Sequence, residues 1–125
     1  MKDFKGKLPD AELDVMLALW DMKTPALRAD IGKKLENTHP MAQTTLLTLL
    51  SRLSDKGFLN IIKNGRSSLY EPLATKEEYL GEEGKSFFKR LCKGKISDLA
   101  TALCSSGLTK EDFDELKRLL EDNEL

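Results

Sequence analysis

Residues 41–72 read MAQTTLLTLLSRLSDKGFLNIIKNGRSSLYEP, and their reading decides the fold. Leu46, Leu49, Leu50 and Leu53 recur at i, i+3, i+4 and i+7, which places four leucines on one helical face. The spacing predicts a helix over 42–55. Lys56-Gly57 ends it, with Gly57 as the left-handed residue beyond the cap. Phe58, Leu59, Ile61 and Ile62 then make a strand-like run. Asn64-Gly65 predicts a tight hairpin turn, because both residue types accept positive φ. RSSLYEPL returns as the second strand, with Pro72 suited to an edge or a strand end.

Upstream, Leu8-Pro9-Asp10 opens a helix in which Leu13, Met16, Leu17 and Trp20 form the apolar face. Thr24-Pro25 reads as a second helix start, Thr24 as the N-cap and Pro25 in the first turn. Leu27, Ile31 and Leu35 continue that helix to about residue 36. A short strand near 22–24 could pair with the hairpin. Helix, helix, helix and hairpin is the order of a winged helix-turn-helix, expected to occupy residues 1–74.

Residues 75–125 have another character. Thr75-Lys76-Glu77-Glu78 fits a capping box. The helix it opens runs to about Leu91, with Gly81 and Gly84 as points where it could bend. A short helix is expected over 96–104, and a last one after Thr109. Tyr79, Leu80, Phe87, Phe88, Leu91, Leu99, Leu103, Phe113, Leu116 and Leu120 are their apolar residues. About 50 residues in short amphipathic helices are too few to cover these faces alone, so a second copy of the chain is the natural cover. The fold class is mostly α: an α+β winged helix followed by a helical dimerisation region.

Charged residues make up 33% of the 125 residues and hydrophobic ones 40%, an ordinary soluble composition. No apolar run approaches the roughly 18 residues of a membrane span, and the N-terminus lacks the apolar core of a secretory signal, so a cytoplasmic protein is expected. The net charge of −1 argues mildly against a nucleic-acid partner, but its distribution argues the other way. Residues 1–74 hold 11 basic and 9 acidic side chains, and 75–125 hold 9 and 12. Arg52, Lys56, Lys63 and Arg66 stand within 15 residues that contain one acid, Asp55. A local basic patch serves phosphate contact even on an acidic molecule.

A helix that reads the major groove needs a leucine-rich inner face and short outer side chains able to touch base edges. Gln43, Thr44, Thr45 and Thr48 suit the bases, while Arg52, Lys56, Lys63 and Arg66 suit phosphates at the helix end and on the hairpin. The competing interpretation is a solvated helix beside a hairpin with scattered charges. Catalysis has little support: His39 sits alone in a turn, no phosphate-binding loop is present, and no nucleophile stands with a base. Neither a cofactor nor a metal is expected. Cys92 and Cys104, twelve residues apart, read as two reduced thiols.

Three stretches, LPDAELDVMLALW, AQTTLLTLLSRLSDKGFL and NGRSSLYEPLATKEEYL, resemble the penicillinase-repressor family, the BlaI/MecI/CopY group of bacterial transcriptional repressors. The resemblance runs from about residue 8 to 121. It implies a homodimer of winged helices that binds a palindromic double-stranded operator and blocks transcription. The family's base-reading Lys, Thr and Arg fall on Thr44, Thr45 and Leu47, so only Thr45 is kept, and Leu47 either packs or touches a thymine methyl. Some members are released by a regulatory protease that cuts an Asn-Phe bond. Ala102-Leu103 stands at that place here, so neither that cut nor a β-lactam signal is implied. The Cys-x-Cys clusters of the copper-responsive members are missing as well.

Two other functions fit the same pattern. A winged helix can serve as a protein–protein adaptor, which would have no use for Lys63 and Arg66 at the hairpin tip. A repressor of another winged-helix family could hold an effector among aromatic residues such as Tyr79, Phe87 and Phe88.

Overall fold

The computed structural model describes Phe4 and residues 6–123. The elements are α1 (Asp10–Trp20), β1 (Ala26–Leu27), α2 (Arg28–Leu35), α3 (Gln43–Asp55), β2 (Leu59–Asn64), β3 (Ser67–Pro72), α4 (Lys76–Ser86), α5 (Ile96–Cys104) and α6 (Lys110–Asp122). One π-helical turn, Phe87–Leu91, follows α4. The chain divides into two compact units, Met1–Glu83 and Gly84–Leu125.

The leucine spacing of α3 is realised: Leu46, Leu49, Leu50 and Leu53 are all buried. The helix ends in a Schellman motif. Gly57 takes φ 84°, its N–H donates to Ser54 O at 3.1 Å, and the Phe58 N–H donates to Leu53 O at 2.9 Å. Leu53 and Phe58, the apolar pair that accompanies such a motif, are both fully buried. This stop turns the chain directly from α3 into β2.

Strands β2 and β3 pair antiparallel from Leu59↔Pro72 to Asn64↔Ser67. The turn is therefore Gly65-Arg66, one residue later than the Asn64-Gly65 reading. Gly65 takes φ 66° and Arg66 stays at negative φ, so a single left-handed residue suffices and glycine supplies it. Asn64 is the last residue of β2.

The second helix begins later than the Thr24-Pro25 signal suggests. The Thr24–Pro25 peptide is cis. Ala26 and Leu27 pair with Tyr70 and Leu69 of β3, giving a three-stranded sheet of order β1-β3-β2. The expected short strand exists, but at 26–27 rather than 22–24. Helix α2 then starts at Arg28 with an extended Leu27 as its N-cap. Pairing with β3 satisfies backbone groups that a longer helix would otherwise have used. Leu27 consequently leaves the core stripe and is exposed, while Ile31 and Leu35 stay buried.

Helix α1 is rotated relative to the sequence reading. Its buried residues are Glu12, Val15, Met16, Ala18 and Leu19, whereas Leu17 is 40% exposed. Positions 12, 15, 16 and 19 form the inward stripe, with a carboxylate in its first place. Glu12 is 3% exposed and accepts a hydrogen bond from Lys56 Nζ at the end of α3. A buried charge with a paired partner is tolerable; alone it would be strongly unfavourable.

Tyr79, grouped by sequence with the dimer-forming residues, belongs to the core of the first unit. Its ring lies 5.8 Å from Phe58 and 5.7 Å from Trp20, and its hydroxyl accepts a hydrogen bond from the Leu8 N–H at 3.0 Å. Burial raises the phenol pKa above its usual value, Leu8 offsets this in part, and Glu83 adds to the rise. The Trp20 indole N–H donates to Ala74 O at 2.9 Å. These contacts extend the first unit into α4, past residue 74. Tyr79→Phe is expected to lower the unit's stability by about 1–3 kcal/mol in urea unfolding, since it orphans the buried Leu8 N–H. An unchanged midpoint would remove that bond from the account.

The capping box at the start of α4 is present: Glu78 N–H donates to Thr75 Oγ1 at 3.0 Å, and Thr75 N–H to Glu78 Oε1 at 2.8 Å. A second one, Thr109 with Asp112, opens α6. Helix α4 includes both Gly81 and Gly84. The irregularity comes at the π turn.

Candidate nucleic-acid interface

The leucine stripe fixes which face of α3 looks outward. Gln43, Thr44, Thr45, Leu47 and Thr48 are all exposed. Thr48 Oγ1 donates to Thr44 O at 3.1 Å. That commits its proton to the helix and leaves its lone pairs and methyl for a partner. No acidic residue stands between Glu36 and Asp55, so nothing on this face repels phosphate. Ala42 caps the helix without a side-chain bond, which leaves first-turn N–H groups and the positive end of the helix dipole unscreened.

The hairpin carries the expected charges. Lys63 and Arg66 are exposed at its tip, and Arg52 is exposed on the last turn of α3. Lys56 differs. It is held by Glu12 across the α1–α3 contact, so its first role is to neutralise a buried carboxylate. Among the described residues, Arg52, Lys63 and Arg66 have no ion-pair partner.

A cleft of about 330 Å³ opens between the start of α2, α3 and the hairpin, lined by Leu27, Arg28, Leu47, Arg66, Ser67 and Ser68 among others. Arg28, Ser67 and Ser68 are additions to the site. The sequence hides Arg28 because the Thr24-Pro25 reading buries it mid-helix, whereas the true start of α2 presents it beside the hairpin. Two arginines and two hydroxyls around one cleft form an anion-attracting surface.

In the second unit, α5 and α6 have no buried residue. Phe87, Leu91 and Leu120 are exposed, and Phe88, Leu99, Leu103, Phe113 and Leu116 are half-buried. Leu80, on the part of α4 that belongs to the first unit, is exposed too. Ala102 and Leu103 lie within α5, half-buried. Cys92 is buried, Cys104 is exposed, and both are free. His39 Nε2 lies 3.6 Å from Asp14 Oδ1 on an exposed turn. Among the described residues no three His, Cys, Asp or Glu side chains are placed to hold a metal, and no helix is long and apolar enough to cross a membrane.

Three helices, a two-stranded hairpin and a short third strand on β3 constitute a winged helix-turn-helix, with α3 as its outward-facing helix and the hairpin as its wing. Over residues 8–122 the chain matches the family model described as Penicillinase repressor. It is 30% identical over 118 residues to the penicillinase repressor of Bacillus licheniformis, covering 94% of this chain and 91% of that one. It is 25% identical over 115 residues to the methicillin resistance regulatory protein MecI of Staphylococcus aureus (strain N315), covering 91% and 93%. The solution structure of the DNA binding domain of the repressor BlaI aligns with 58% of this chain and 88% of its own, at 34% identity and a TM-score of 0.51. The chain belongs to the penicillinase repressor family.

Proposed function

We propose that this protein is a transcriptional repressor that binds double-stranded DNA through the winged helix, as a homodimer on an inverted-repeat operator. The observation that carries the reading is the outer face of α3: short polar side chains around Leu47, no acid, and cations at Arg52, Lys63 and Arg66 that have no ion-pair partner among the described residues. Gln43, Thr44, Thr45 and Thr48 contact base edges, and the cations hold phosphates. Arg28 joins the phosphate set from the start of α2. The uncovered apolar faces of α5 and α6 support dimerisation, because a second copy would bury them. Its likeness to a B. licheniformis penicillinase repressor supports repression as the outcome of binding.

Thr45 is exposed, so truncating it leaves the core intact. Thr45→Ala is expected to weaken binding to the cognate operator by about 1–3 kcal/mol and to leave binding to random duplex unchanged. Fluorescence anisotropy on both duplexes checks this. An equal loss on the two would mean that Thr45 does not read bases.

A further inference from the structure

Leu47 stands apart from the other leucines of α3. Leu46, Leu49, Leu50 and Leu53 are at most 5% exposed, while Leu47 is 41% exposed. It sits one turn beyond Gln43 on the outward face, and it lines the cleft that Arg28 and Arg66 flank. A large apolar side chain on a polar face gains free energy only where it meets another apolar group. Along the base edges of the major groove the thymine 5-methyl is the one such group. Arginines beside the cleft would hold a backbone segment of the duplex close to it.

We propose that Leu47 is a specificity-determining residue that selects a thymine in each operator half-site by packing against its 5-methyl group. Arg28 and Arg66 position the strand for that contact by holding its backbone. This rests on the DNA-binding reading above. Charge complementarity favours this occupant: an apolar protein side chain could also cover Leu47, but would leave the two arginines without anions.

The test uses the full-length protein and an operator duplex recovered by selection from random DNA. Each thymine of both half-sites is replaced in turn by deoxyuridine, which removes the methyl and keeps every hydrogen-bonding group. One position per half-site should weaken wild-type binding, about four-fold for each methyl. The same replacement should have no effect on Leu47→Ala, and Leu47→Gln serves as a second variant. Wild-type and Leu47→Ala proteins should bind the deoxyuridine duplex alike. A wild-type protein indifferent to every methyl would overturn the proposal, as would an undiminished deoxyuridine penalty in both variants. Either result leaves operator binding itself standing. Failure to recover any preferred sequence would instead remove the DNA-binding reading together with this one.

Discussion

Lys56→Ala is expected to destabilise the first unit by about 3 kcal/mol, measured by urea unfolding at fixed protein concentration. Glu12 is buried within the stripe of α1 that faces the core, and Lys56 is its partner from the end of α3. Removing the ammonium leaves a carboxylate with neither water nor a counter-charge. Replacing both, as Glu12→Leu with Lys56→Met, should recover most of the loss, because a well-packed apolar pair of similar volume is often as stable as a buried ion pair. A loss below about 1 kcal/mol in the single variant would place the pair among ordinary surface bridges.

The consequence for function is a division of labour. Lys56 ties the end of α3 to α1 through Glu12. Lys56→Ala, at a temperature where the unit is still folded, should therefore change the salt dependence of DNA binding less than a change at the wing does.

Lys63→Ala combined with Arg66→Ala is expected to weaken binding to every DNA sequence by a similar factor. It should reduce the slope of log K against log salt by about one to two units per protomer. Both side chains are exposed at the hairpin tip, and the left-handed residue of the turn is Gly65, so neither substitution disturbs the fold. Each phosphate neutralised releases condensed counterions, which is why the slope counts contacts. An unchanged slope with unchanged affinity would remove the wing from the interface and favour the adaptor function.

The helix that decides the fold was legible because its signals agree. Leucine periodicity, a Gly at the cap and a following apolar run all specify the same boundary, and Gly57 takes the left-handed conformation that the pattern requires. The errors have physical causes. Thr24-Pro25 is a sound helix start taken alone, but pairing of Ala26 and Leu27 with a strand some 40 residues away overrides it, and local propensity carries no trace of that partner. The face of α1 is offset from the apolar pattern because the inward stripe includes a carboxylate, Glu12, which a stripe of apolar residues alone leaves out. Only Lys56, far along the chain, makes Glu12 admissible there. Tyr79 lies on an amphipathic helix, yet its hydroxyl is held by Leu8, 71 residues earlier, a partner that no local pattern reveals. Within the candidate site, the outward residues of α3, Gln43, Thr44, Thr45, Leu47 and Thr48, follow from the leucine stripe. Arg28 does not, since its position depends on where β1 ends.

Selection of bound duplexes from a random pool, with purified protein at moderate salt, bears most directly on whether this winged helix reads sequence. The expected product is an inverted repeat whose half-sites lie one helical turn or a multiple of it apart, each carrying a thymine whose replacement by deoxyuridine weakens binding. A pool that returns no enriched sequence, with binding abolished at ordinary salt, would contradict it and leave the exposed face of α3 to a protein partner.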